Sequence, residues 1–294
     1  MKRFIVFFVV FILFLGFLIG QCNGTTETES FEEGALSLED QQLPESDDNS
    51  NLLYDGETTN DSHQEHQIAT ICEFVRNPSS LASQILTRKS YTCSYNATTK
   101  NPNWIAWHLT KDHVDGDVKR PNQYVEDFEV PSPRATHDDY KGSGWSHGHM
   151  CPAGDNKWDS VAMQETFLLT NICPQNRSLN SGLWNRIEQN CRVWAKKYGE
   201  LYILCGPVYL NQEHETIGIN KVVVPEAFFK VILCLQGTPK AIGFVVRNNE
   251  GAKKRDQYIN TIDEVERITG YDFFPELPDD IEEVVESHAD IDEW

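Results

Sequence analysis

Between Thr25 and Gln67 the chain has no lysine and no arginine, and no two of its 8 cysteines form a Cys-x-x-Cys pair. The first absence, joined to 13 acids in residues 25–66 and no sustained apolar period, excludes a packed core there and marks an acidic disordered linker. The second leaves a zinc ribbon or a thioredoxin-like redox centre without support. No internal repeat is visible, which excludes a solenoid. The chain also lacks an apolar run of roughly 20 residues, the length that spans a bilayer; the block from Phe4 to Ile19 has 16.

That block follows Lys2 and Arg3 and ends in small and polar residues, the layout of a secretory signal peptide over residues 1–24. The chain is therefore expected outside the cytoplasm: secreted, periplasmic or on the cell surface. Two other readings stay open. The segment could remain as a membrane anchor, or Cys22 could carry a lipid, although Gln21 stands where a small residue is expected before a lipidated cysteine.

The formal charge of −20 belongs to the ends. Residues 271–294 hold 10 acids and no lysine or arginine, so 22 of the 45 acids remain in the body against 23 of the 25 lysines and arginines, Lys2 and Arg3 lying in the leader. A nearly neutral body does not argue against a polyanionic ligand. We expect one domain over residues 68–280 and an acidic tail over 281–294; about 200 residues suffice for a sizeable core. Removal of Cys22 would leave seven cysteines, an odd number that keeps at least one thiol out of any intramolecular disulfide.

Within the body, "SYTCSYN" and "NWIAWHLT" flank a turn and read as strands, as do the apolar runs in "ELYILCGPVYL", "FFKVILCLQ" and "KAIGFVVRN". "NSGLWNRIEQNCRVWAKKYG" is a helix with Leu183, Trp184, Ile187, Cys191 and Trp194 on one stripe and Gly199 as its stop. "INTIDEVERITG" is a shorter helix closed by Gly270. Strands on both sides of the long helix predict an α+β fold with a central, largely antiparallel sheet.

The chemistry-bearing stretch is "WSHGHMCPAGDNKWD", residues 145–159. Alone it admits a zinc site on His147, His149 and Cys151, a Cys151 nucleophile, or ordinary histidines at a sheet edge. It does not stand alone. With "TFLLTNICPQNRSLNSGLWNRIEQNCR" it resembles the signature of the DNA/RNA non-specific endonucleases of the ββα-metal class, the His-Me finger nucleases, of secreted bacterial type. In that family Asp-Arg-Gly-His with a following proline leads through Asn-x-x-Pro-Gln to Leu-Asn-x-Gly-x-Trp and a helical glutamate. The matching residues are His149 and Pro152, then Asn171, Pro174 and Gln175, then Leu179, Asn180, Gly182 and Trp184, then Glu188 and Arg192. "GPVY", "VPEAFFKVIL" and "TIDEVERITGYDFFPELPDD" extend the resemblance over roughly residues 85–280.

The resemblance implies a ββα-metal motif and metal-dependent hydrolysis of DNA and RNA to 5′-phosphate products. His149 would be the general base, since a neutral imidazole can take a proton from water. Asn180 would be the only direct protein ligand to Mg2+, a hard ion that keeps most of its waters, with Mn2+ able to substitute. Eight helical residues separate Glu188 from Asn180, a rise of about 12 Å, so Glu188 suits metal-bound water better than the inner shell. Arg192 would pair with Glu188 or reach phosphate, and Asn171 would buttress the site. No organic cofactor is implied.

One departure stands out. Ser146 and His147 replace the family's Asp-Arg, so the phosphate-contacting arginine is missing there, and histidine substitutes for it only when protonated. Arg120, in "VKRPNQYVEDF", matches a second arginine that the family sets against the scissile phosphate. The competing reading is a surface nucleic-acid-binding protein that kept the fold and lost the chemistry; the joint presence of His149, Asn180 and Glu188 argues against it.

Overall fold

The computed structural model describes residues 75–249 and 254–294. The expected leader, the acidic linker, Cys22 and Cys72 lie outside the described residues. Nine strands position the site: β1 (Gln84–Thr87), β2 (Thr92–Asn96), β3 (Asn101–Thr110), β4 (Ser146–His149), β5 (Ile172–Gln175), β6 (Glu200–Val208), β7 (Ala227–Cys234), β8 (Lys240–Arg247) and β9 (Ile259–Asn260). Seven of them form one sheet in the order β9-β8-β7-β6-β3-β2-β1, every pair antiparallel. β4 and β5 pair with each other as a separate antiparallel hairpin. The architecture is the expected α+β.

Side chains alternate across a strand, and here both faces are covered. Ile105 and Trp107 of β3, Ile203 and Cys205 of β6, and Phe228 and Ile232 of β7 meet the helix α2 (Asn185–Tyr198). Their neighbours Trp104, Ala106, Leu204, Phe229 and Val231 meet α3 (Ile262–Thr269) and α4 (Asp279–Ser287) on the other face. Double burial is why these strands read as unbroken apolar runs rather than as an alternation. The stripe of α2 is buried as expected, and Gly199, at φ 97°, ends the helix by donating its N–H to the Ala195 carbonyl at 2.8 Å. Gly270, at φ 75°, does the same for α3.

Two features differ from expectation. The long helix opens with a π turn, Asn180–Trp184, before the regular helix starts at Asn185; such widened turns mark functional sites more often than chance. The acidic tail after residue 280 also packs on the domain. Residues 279–287 form α4, which buries Val285, and Ala289, Ile291 and Trp294 then pack on the core under α2, the Trp294 ring centroid 4.7 Å from that of Trp194. The density of acids in "DDIEEVVESHADIDEW" concealed this apolar spacing. The six described cysteines are free and buried. Among the described residues no helix is long and apolar enough to cross a membrane.

Candidate active site

The hairpin sets His149 opposite Ile172 and Gly148 opposite Cys173. A Cβ on Gly148 would lie 2.5 Å from Gln175, so only glycine permits this approach. After His149 the chain turns through Ala153–Asp155, forms α1 (Ser160–Glu165), and returns as β5. Asn171 clamps this loop. Its side-chain oxygen accepts from the Cys151 N–H at 2.8 Å, and its amide nitrogen donates to the carbonyls of Cys151 and Thr166, each at 2.9 Å. Fully buried and satisfied, it is a buttress rather than a wall of the cavity. β5 then leads into the Arg177–Leu179 turn, the π turn and α2, so two strands and a helix enclose the site.

Between them opens a cavity of about 500 Å3 lined by Arg120, Tyr124, His147, His149, Arg177, Asn180, Glu188 and Arg192, among others. Three arginines face one carboxylate, a balance that suits an anionic ligand. His149 is 8% exposed, packs edge-on to Phe167 at 5.0 Å, and leaves its buried Nε2 without a partner. Burial, then Arg120 and His147, pushes its pKa down to about 3, so the imidazole is neutral across the physiological range. Burial pushes Glu188 the other way, up to about 7.

His147 is placed differently from a phosphate-binding arginine. Its ring is stacked between Tyr124, at 4.0 Å, and Tyr140, at 4.1 Å, and burial lowers its pKa to about 4. A charge-dependent phosphate contact is therefore opposed by its surroundings. Arg120 is exposed at the cavity mouth, its guanidinium 5.6 Å from the Phe167 ring, with no carboxylate partner among the described residues. Arg192 pairs with Asp155 at 2.7 Å and not with Glu188, and Gly154 leaves room for it, since a Cβ there would fall 2.8 Å from Nη1.

The donor set fits a hard ion and not zinc. Asn180 and Glu188 bring oxygens to the wall, and the Asn180 amide nitrogen contacts the His147 carbonyl at 3.5 Å, which turns its oxygen away from that carbonyl. Among the described residues, groups of three or more His, Cys, Asp or Glu ligand atoms occur only elsewhere, at His288, Asp290 and Glu293 and at Asp263, Glu266 and Glu286. A cation in the cavity would thus rest on few protein ligands and much water, as Mg2+ does. Cys151 is fully buried and burial raises its thiol pKa well above the ordinary value, which is inconsistent with a nucleophile.

All seven residues singled out in the sequence gather at this site, six on the cavity wall and Asn171 behind it. Sequence reasoning missed Tyr124, Asp155 and Arg177. Asp155 lay in plain view in "PAGDN", but its partners Arg192 and Trp107 are distant in sequence.

The geometry defines a ββα-metal type of active site, and the comparisons with known proteins agree. Residues 72–280 match the family model of the DNA/RNA non-specific endonucleases, and the chain belongs to that family. It is 37% identical over 206 residues to the mitochondrial nuclease EXOG of Mus musculus, covering 64% of this chain and 56% of that protein. The chain thus spans little more than half the length of that relative. It is 36% identical over 213 residues to Nuclease C1 of Cunninghamella echinulata, covering 67% of this chain and 84% of that protein. Among solved structures, a chain from the crystal structure of the EndoG/EndoGI complex superposes with a TM-score of 0.67 at 26% identity, covering 76% of this chain and 97% of that chain.

Proposed function

We propose that this chain is an exported, Mg2+-dependent endonuclease that hydrolyses phosphodiester bonds in both DNA and RNA and leaves 5′-phosphate ends. The observation that carries the reading is the convergence, on one arginine-rich cavity, of a neutral unpartnered imidazole, an amide oxygen and a carboxylate. Arg120 and Arg177 draw the phosphate in, and Arg192, anchored by Asp155, holds the inner wall. His149 takes the proton from the attacking water through Nε2. Burial and the charge of Arg120 make this imidazole a weak base, but a phosphate beside it adds negative charge that raises its proton affinity. The metal, when bound, supplies charge for the phosphoryl oxygens and a water acidic enough to protonate the leaving 3′-oxygen. Asn180 would hold it directly and Glu188 would hold its water.

Incubation of supercoiled plasmid and of a structureless RNA with the protein, with and without EDTA, tests this reading. Nicks in both substrates that vanish with EDTA are expected. Binding without cleavage would favour the nucleic-acid-binding alternative. The export part of the proposal is compatible with the buried cysteines, whose thiolates are disfavoured by burial and so resist oxidation.

The pH dependence follows from the same site. The working state needs neutral His149 and ionised Glu188. Glu188 is raised to about 7 while His149 is lowered to about 3, so kcat/KM should rise with pH along a limb set by Glu188. That limb should move to lower pH as Mg2+ increases, because a nearby cation favours the carboxylate. Rate profiles at two Mg2+ concentrations check this; a limb that persists unchanged in Glu188→Gln would assign it to another group.

A further inference from the structure

Lys230 lies in the middle of β7, between Cys205 of β6 and Phe244 of β8, and is fully buried. Its ammonium has no hydrogen-bond partner of normal geometry. Instead the ring faces of Trp107 and Trp184 flank it, at 4.8 and 4.9 Å from Nζ to the ring centroids. Burying a cation this way is costly, and the two tryptophan faces recover part of the cost. Burial opposes its charge, while the neighbouring Cys205 and Cys191 thiols and then the carboxylates of Glu188 and Asp155 favour it, and Lys230 is in turn the leading charge that favours ionised Glu188.

The connections run to each side of the cavity. Trp107 donates its indole N–H to Asp155 at 3.2 Å, and Asp155 accepts from Arg192 at 2.7 Å. Trp184 closes the π turn that begins with Asn180. One buried ammonium therefore touches the tryptophan that supports Asp155 and Arg192 and the tryptophan that closes the Asn180 turn, and it acts on the Glu188 carboxylate through its field. Packing alone does not call for lysine here, since an apolar side chain of similar length would fill the space without burying a charge.

We propose that Lys230 is a positioning residue for phosphodiester cleavage: from the protein interior its ammonium attracts the Glu188 carboxylate and braces Trp107 and Trp184, holding Glu188 and the Asn180 turn in place. The inference rests on the cleavage reading above. Lys230 does not line the cavity and acts through Glu188 rather than on the substrate.

The test is Lys230→Met, made in the wild-type chain and in Glu188→Gln, with kcat, KM and Tm measured for all four proteins on plasmid DNA. In the wild-type background we expect kcat to fall by about 10- to 100-fold, with KM within about threefold and Tm unchanged or raised, because a buried unpaired charge has been removed. In the Glu188→Gln background the same substitution should change kcat by less than about threefold, since the carboxylate it acts through is gone. An equal loss in both backgrounds, undiminished kcat in the single variant, or a protein that no longer folds would each overturn the proposal, the last by showing that the ammonium serves packing. Absence of cleavage by the wild-type chain would instead count against the cleavage reading, so the two failures are distinct.

Discussion

His149→Ala is expected to lower turnover by about 10²- to 10⁴-fold, the usual contribution of a positioned general base. The fold should survive. Nε2 has no hydrogen-bond partner to lose, and the hairpin beneath the residue is held by the β4–β5 ladder and by the Asn171 clamp rather than by the imidazole. What disappears is the neutral, unpartnered nitrogen assigned to take the proton of the attacking water. Single-turnover cleavage at saturating substrate isolates the chemical step, and near-native circular dichroism and Tm should accompany the loss. Turnover within tenfold of wild type would move the base elsewhere.

Arg192→Met is expected to cost about 3–5 kcal/mol of stability, the range for stranding one member of a buried ion pair. Asp155, with 1% of its side chain exposed, would keep only the Trp107 N–H as a direct partner and Lys230 as a nearby charge. The sign of the pH dependence follows from burial, which already raises the Asp155 pKa. A carboxylate whose folded pKa is raised destabilises the protein as pH climbs through the window between its unfolded and folded values. Loss of Arg192 widens that window, so the deficit should be larger at pH 8 than at pH 5. Thermal melts at both values check this, and Asp155→Asn added to Arg192→Met should recover part of the loss. A uniform deficit at both values would mean that packing of the arginine stem, not the ion pair, is what the residue supplies.

Much of this was legible along the chain because the signals are local. β6 and β7 are buried on both faces and so read as apolar runs, and α2 carries its stripe at helical spacing with a glycine stop. The site was legible because one hairpin and one helix carry most of it: His149, Asn180, Glu188 and Arg192 fall within 44 consecutive residues. The parts that stayed hidden depend on contacts between distant segments. His147 could be seen to replace an arginine, but not to be stacked between Tyr124 and Tyr140. Arg192 could pair with Glu188 on one helix face, whereas its actual partner, Asp155, arrives from the loop after β4. Lys230 stood among eight strand residues with no polar neighbour, yet only the folded sheet brings Trp107 and Trp184 to its sides. At the other end, the acids of residues 281–294 outweighed the spacing of Ile281, Val285 and Trp294 that packs this segment on the domain.

If Asn180 holds the cation beside the base His149, the two residues govern different parts of the metal dependence. Cleavage rate measured against Mg2+ concentration, for wild type, Asn180→Ala and His149→Ala, separates them. The Mg2+ concentration giving half the maximal rate should rise by about tenfold or more in Asn180→Ala, as expected for a lost metal contact, and should stay at the wild-type value in His149→Ala, whose maximal rate alone collapses. Three curves that coincide after scaling to their maxima would contradict the assignment of the metal to Asn180.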